Sequence, residues 1–281
     1  MWTAGNRAQY ERKGQRYPSD LTDEEWNLVE PYLPPARRGR RFPAVDRRSV
    51  LDGILYVLTT GCQWRQLPKD FPPKTTVHRY FIEWHTDGIL MRLHHALYEE
   101  ARKLAGRHPT PTTAIVDSQS VEGADKRGAR IDPSGYDAGK KINGKKRHAA
   151  VDTQGLLINF VVSPASVQDR DMIAPMLKIA RRRFPGLERA IADGGYQGAA
   201  TATAVKTEAG LPLEIVKRSD AATGFVLLPK RWIVERTFGW LGRCRRLAKD
   251  FENLTRSHAA FFVLAMIRLM VRRISRLGAA S

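Results

Sequence analysis

Three acidic residues stand where a divalent-cation nuclease needs them: Asp117, Asp193 and Glu235. Asp117 ends an apolar run, Thr113-Ala114-Ile115-Val116, that predicts a buried strand. Asp193 ends a second run, Ala190-Ile191-Ala192, and a glycine pair follows it. Glu235 falls inside a stretch, 230–249, that predicts a helix. A carboxylate at the end of a buried strand is costly unless it is paired or bound to metal. Hard cations take oxygen ligands, so two strand-end acids and one helical acid can converge on them. The surroundings have the opposite sign, because 47 Lys and Arg against 29 Asp and Glu leave a formal charge of +18. Acid at the chemistry and base around it is the pattern of an enzyme that cuts a polyanion.

Each acid has a plainer reading. Asp117 serves equally well as a turn or cap aspartate on local context alone. The glycines after Asp193, Gly194 and Gly195, let backbone and substrate approach closely, yet they also suit an ordinary strand-to-helix loop. Glu235 is decided by helical geometry at about 100° per residue. Ile233, Thr237, Trp240, Leu241 and Cys244 fall opposite it, so that face is expected to be buried. Arg231, Gly239, Gly242, Arg246 and Lys249 share its side, with Arg243 and Arg245 near the edges. An ion pair from Arg231 to Glu235 is the modest alternative, and it leaves the other cations unexplained.

Two further groups suit nucleic acid. Lys140, Lys141, Lys145, Lys146 and Arg147 lead into a strand and are expected to form a basic rim beside Asp117. Thr75, His78 and Arg79 lie near the start of a helix that follows another over 46–60, in the manner of a helix-turn-helix reader. Asp152, Asp169 and Asp171 are expected to be turn and cap residues. Arg268, Arg272 and Arg276 form a basic stripe on a C-terminal helix whose apolar side is core.

These residues need a frame. Thr22-Asp23-Glu24-Glu25 is a capping box opening a short helix. Arg37-Arg38-Gly39-Arg40-Arg41 is a basic loop, and helices are expected from Thr75 and from about Asp87 to Ala105. His108-Pro109-Thr110-Pro111 marks a boundary. Beyond it come strands at 113–117, about 147–153 and 155–163, with a tight hairpin at Thr153-Gln154-Gly155. A helix at 169–183, a strand at 189–193, a helix at 197–209 and a strand at 212–217 follow. Three antiparallel strands and then alternating helices and strands is an α/β pattern matching the ribonuclease-H-like topology. The expected division is a polar tail 1–16, a helical DNA-binding module 17–110, a catalytic domain 111–252 and a C-terminal basic amphipathic helix 253–281 packed on it.

The charge is concentrated where the acids are: residues 1–110 carry a net +5 and residues 111–281 a net +13. The two cysteines, Cys62 and Cys244, have neither CxxC nor Cys/His spacing, which argues against zinc and disulfides. The N-terminus lacks the apolar segment of a secretory signal, and the apolar run Ala259–Ile267 is too short to span a bilayer. A cytoplasmic protein, nucleoid-associated when bound to DNA, is the expectation.

The motifs together resemble a known family. Ile115-Val116-Asp117-Ser118-Gln119-Ser120, Lys145-Lys146-Arg147-His148, Val151-Asp152-Thr153, Asp193-Gly194-Gly195-Tyr196 and Val234-Glu235-Arg236-Thr237-Phe238 resemble a bacterial DDE transposase of the insertion-sequence five family. Leu21–Trp26 and Gly61–Pro68 resemble that family's helical N-terminal region. The resemblance implies a ribonuclease-H-like domain in which Asp117, Asp193 and Glu235 bind two Mg²⁺ ions, with Mn²⁺ as a substitute. It also implies double-stranded DNA as partner, a homodimer or higher oligomer on DNA, and no small-molecule cofactor. A Tyr-x2-Arg-x3-Glu-x6-Lys signature of the related insertion-sequence four group is met by Arg231 and Glu235. Leu228 replaces its tyrosine and Gly242 its lysine, so Arg243, Arg245 or Arg246 is expected to supply that cation. The rivals are a stand-alone ribonuclease-H-fold endonuclease and a non-catalytic DNA-binding regulator derived from a transposase.

Overall fold

The computed structural model describes residues 15–35, 45–126, 130–216 and 230–278. The basic loop 37–41, Leu228 and residues 1–14 of the polar tail lie outside them. The N-terminal helices begin as their caps dictate. Thr22 accepts from the Glu25 amide and the Glu25 side chain accepts from the Thr22 amide, closing the capping box of α1, Asp23–Val29. Asp46 caps α2, Arg47–Thr60, through the amides of Arg48 and Ser49, and Gly61 ends it at φ 72°. Two more helices follow, α3 (Lys74–Thr86) and α4 (Ile89–Leu104).

The sheet is mixed. β1 (Thr113–Glu122) pairs antiparallel with β3 (Ile142–Val151), and β3 pairs antiparallel with β4 (Leu157–Pro164). A short β2 (Gly135–Asp137), absent from the sequence reading, pairs with the first residues of β3, end to end with β4 along the same edge. On its other side β1 pairs in parallel with β5 (Arg189–Asp193), which pairs in parallel with β6 (Leu213–Val216). Helices α5 (Asp169–Arg183) and α6 (Ala199–Ala209) connect these strands, and α7 (Arg231–Leu241) and α8 (Thr255–Gly278) complete the chain. This strand order, with three antiparallel strands leading into a parallel pair, is the ribonuclease-H-like arrangement.

Three expected boundaries are corrected. β1 does not stop at Asp117 but runs to Glu122, because β3 keeps pairing with it as far as Gly144. β3 starts at Ile142 rather than near 147, so most of the basic block lies inside a strand. The helix carrying Glu235 stops at Leu241, where Gly242 caps it, instead of reaching 249. Cys244 is buried as expected, but in the turn beyond the helix.

One core runs through the whole described chain. Leu51, Ile54, Phe81 and Trp84 of the N-terminal helices belong to the same buried cluster as Ile115, Val151, Leu177 and Phe262. α8 joins the two ends: Phe261 stacks on Phe81 at 4.6 Å and Phe262 stacks on Phe160 at 3.6 Å between ring centroids. The stripe expected on this helix also has protein partners, since Arg272 donates to the Pro18 carbonyl at 2.7 Å.

Among the described glycines, Gly144 leaves a side chain the least room. A Cβ there would lie 2.1 Å from the Val121 carbonyl oxygen and 2.6 Å from the Gly123 amide, both main chain and unable to yield. Gly144→Ala is expected to lower stability by about 1–3 kcal/mol or more by overpacking, read as a lower urea midpoint. An unchanged midpoint would show that β1 and β3 are not held this closely.

Candidate active site

The site lies at the carboxyl end of the parallel strand pair, where α7 crosses it. β1 and β5 pair as far as Ile115 and Ile191, and Asp117 and Asp193 stand two residues beyond on their respective strands. Past Ile115 and Ile191 the two strands no longer pair, and the half-buried Asp117 and Asp193 stand on either side of the gap so left in the sheet. Asp117 shares a sheet face with its cross-strand partner Ala149, and residues along a strand alternate between faces. That face is the one covered by α7 and α8.

Backbone amides orient both aspartates. Asp117 Oδ1 accepts from the Ser118 amide at 2.7 Å and Asp193 Oδ1 accepts from the Gly195 amide at 2.9 Å. Neither glycine after Asp193 has positive φ. Gly194 faces open space, whereas a Cβ on Gly195 would press to 3.1 Å from Asp193 Oδ1. The pair therefore serves the carboxylate and its access rather than an unusual backbone.

Glu235 enters from α7. Ile233, Val234, Thr237, Phe238 and Leu241 are buried, so the expected inner face holds apart from Trp240, which is half-buried. Thr237 fixes the helix on the β3–β4 hairpin by donating to the Gly155 carbonyl at 2.8 Å. Gly155 has φ 81° and would bring a Cβ to 2.7 Å from Thr237 Oγ1, so this contact demands glycine. Glu235 is left exposed beside the half-buried Arg231, whose Nη2 donates to its Oε1 at 2.7 Å. Arg231 Nε also lies 3.8 Å from Asp193 Oδ2.

The three acids feel one another. Burial chiefly raises the Asp117 carboxyl, to about 6; the Ser118 amide opposes this, the charge of Asp193 adds to it, Arg231 lowers it and Glu235 raises it. Tyr196, buried behind the loop, has its phenol pushed up by burial and by the charges of Asp169, Asp117 and Asp193. A set of carboxylates repelling one another in a partly buried site is the donor set a divalent cation neutralises. As the side chains stand, no group of three His, Cys, Asp or Glu among the described residues is arranged to hold a metal ion. Among the described residues, the cation paired with Asp193 and Glu235 is the Arg231 guanidinium. The donor set thus fits a metal in kind, with an arginine in the gap.

The expected cations divide into two groups. Lys140, Lys141, Arg243 and Arg245 are exposed, as are Thr75, His78 and Arg79 on α3. Lys145, Lys146 and Arg147 do not form a rim; they are buried, at 1%, 6% and 3% exposure. In a strand covered on both faces, successive side chains point into opposite layers, so a run of cations cannot present one basic edge. Lys145 Nζ donates to the carbonyls of Asp132 and Pro133 and to Thr255 Oγ1, while Lys146 Nζ, on the other face, donates to the Val167 carbonyl and pairs with Asp169 at 3.1 Å. Arg246 is also buried: it donates to Glu252 at 2.6 Å and to the Cys62 carbonyl at 3.2 Å. Because α7 ends at Leu241, Arg243, Arg245, Arg246 and Lys249 do not continue the Glu235 face. Lys249 instead pairs with Glu122 at 2.8 Å.

Two buried clusters had no distinct signal in the sequence. Asp152 is a turn residue as expected, accepting from the amides of Gln154 and Leu156. It also accepts from Tyr98 and pairs with Arg102, which ties α4 to the sheet. Asp250 pairs with Lys126 and with His258, and His258 Nε2 accepts from Arg147 Nε at 2.7 Å. Since Arg147 has only protons to give, the His258 proton sits on Nδ1 and is donated to Asp250.

Comparison with known proteins agrees with this architecture. Residues 108–270 match the family model "Transposase DDE domain", and residues 21–94 match the model described as "Putative transposase of IS4/5 family". The "Insertion element IS402 uncharacterized 16.2 kDa protein" of Burkholderia cepacia is 38% identical over 36% of this chain and 71% of its own length. "Uncharacterized protein y4sN" of Sinorhizobium fredii is 30% identical over 29% of this chain and 65% of its own length. The "Putative transposase for insertion sequence element IS402" of Burkholderia cepacia is 30% identical over 43% of this chain and 60% of its own length. No solved structure gives a significant match, and no helix among the described residues is long and apolar enough to cross a membrane. A ribonuclease-H-like sheet, under a family match covering more than half of the chain, places this protein among the DDE transposases of the insertion-sequence four/five group.

Proposed function

We propose that this transposase binds the ends of its insertion sequence, cleaves the DNA strand and joins the freed 3′-hydroxyl to target DNA at Asp117, Asp193 and Glu235. The observation that supports this reading is that Arg231 of α7 pairs with both Asp193 and Glu235, while the charges of those two acids act on Asp117 of β1. Asp117 and Asp193 would hold the divalent ions with their amide-oriented carboxylates, and Glu235 would complete the set from the helix. When bound, such ions lower the pKa of the attacking hydroxyl and offset charge on the scissile phosphate. The chain's own part is to fix the acids on rigid elements and to lead the strand past them. Cleavage breaks the P–O3′ bond as water adds to phosphorus; joining repeats the substitution with the 3′-hydroxyl in place of water.

Arg231, Arg243, Arg245, Lys140 and Lys141 are proposed to contact the phosphate backbone, with Lys249 able to leave its exposed pair for the same purpose. Thr75, His78 and Arg79 are proposed to meet the element ends. Buried Lys145, Lys146, Arg147 and Arg246 support the fold instead. Labelled duplex carrying an element end and a target plasmid tests the reading: cleavage followed by joined product is expected, and cutting without joining would favour a stand-alone nuclease. Lys140→Ala/Lys141→Ala is expected to weaken non-specific duplex binding and flatten its salt dependence by about 0.9 per lost phosphate contact. A fluorescence-anisotropy titration across salt concentrations checks this, and an unchanged slope removes these lysines from the interface.

A further inference from the structure

Arg231 occupies a place its own hydrogen bonding does not explain. It opens α7, preceded by Lys230 in a left-handed conformation at φ 67°. Its Nη2 is well bonded to Glu235 at 2.7 Å, but Nε is buried without a hydrogen-bond partner and reaches Asp193 Oδ2 only at 3.8 Å. The side chain is thus drawn into the gap by charge more than by fit. Among the described residues it is the cation paired with Asp193 and Glu235, and its charge is felt at Asp117 as well. Two positive groups cannot share that gap without strong repulsion.

We propose that Arg231 is a resident counter-cation, holding Asp193 and Glu235 together until metal arrives, and that it must swing out for metal to load. The inference rests on the reading of the three acids as metal ligands. A DNA phosphate is the natural acceptor for the displaced guanidinium, because arginine binds phosphate through two parallel hydrogen bonds. DNA that draws Arg231 away opens the gap to metal, and metal that expels Arg231 frees it for DNA. Metal and DNA affinities are therefore coupled, and the coupling is reciprocal. Arg231 acts here as a positioning residue. The arrangement keeps the site from loading fully until DNA is in place.

The test is Mn²⁺ binding to the full chain, followed by electron paramagnetic resonance and calorimetry, with and without a saturating non-specific duplex. In the absence of DNA, Arg231→Ala and Arg231→Gln are both expected to bind Mn²⁺ about tenfold more tightly than the parent. Adding duplex should tighten Mn²⁺ binding to the parent and do so much less in either variant. Two substitutions of different shape guard against a folding defect, and circular dichroism checks each. Equal or weaker Mn²⁺ binding in both variants, beside measurable binding to the parent, overturns the role of Arg231 while leaving the acid site standing. Absence of Mn²⁺ binding in the parent and in both variants overturns the acid site and this inference with it.

Discussion

Asparagine at Asp117 or Asp193, or glutamine at Glu235, is expected to slow strand cleavage on the order of 10³-fold or more, about 4 kcal/mol of barrier. Duplex binding should survive. The substitutions are close to isosteric: Asn at 117 and 193 keeps an oxygen for the amides of Ser118 and Gly195, and Glu235 is exposed at the surface. What each one removes is a negative charge facing two others. Non-specific affinity comes from cations meeting phosphates, so losing an acid beside that surface leaves binding equal or slightly tighter. A cleavage time course with a mobility-shift titration on the same preparations measures both. Near-normal cleavage by any of the three would remove that residue from the proposed catalytic set.

Asparagine at Asp250 is expected to be the most damaging change away from the site. Asp250 is fully buried, and its carboxylate answers Lys126 on one side and His258 on the other. Burial alone would raise its acid, but the bonds and charge of His258 and Lys126 outweigh this and hold it down at about 2. Removing the charge leaves Lys126 buried and unpaired, which costs about 3–5 kcal/mol. For a chain of this size that is a fall in Tm of roughly 10 °C. Adding Lys126→Met should recover part of the loss, because the stranded charge goes with it. A single-site loss below about 1 kcal/mol in calorimetry would show that water reaches this cluster.

The same cluster sets a direction with pH. Burial first, opposed by the bond to Asp250 and aided by the charge of Arg147, holds the His258 imidazole down at about 4, below its ordinary 6.5. Both groups have folded-state values below their ordinary ones, so the unfolded chain binds protons first. His258's contribution is intact above about 6.5 and lost as pH falls through about 4, and that of Asp250 is lost between about 4 and 2. Asp250→Asn should therefore flatten the urea-midpoint profile below about pH 4, where Asp250 itself takes up its proton, and an unaltered profile there would assign that limb to other groups.

Much of the frame was legible in the sequence, because its signals are local. Thr22 and Glu25 are three residues apart, and Asp46 and Gly61 bracket one helix, so each cap is decided by neighbours in the chain. Asp117 and Asp193 stand after short apolar runs, and the rotation of α7 follows from a period of about 3.6 residues. Boundaries were less legible. Asp117 looked terminal because polar residues follow it, yet β3 supplies pairing partners as far as Glu122.

The sequence by itself determined the element types and the family, and it pointed to the three acids. Only the tertiary structure decided which cations are free. Lys140 and Lys145 are alike as letters, but one lies on the surface and the other inside β3 with three oxygen partners. Burial depends on what covers each face of a strand, and here α5 on one side and α8 on the other come from far along the chain. The same holds for Asp250 with Lys126, 124 residues apart, and for Arg231, whose place between Asp193 and Glu235 requires β5 and α7 to meet. Charge is a property of a residue, whereas its partner is a property of the fold.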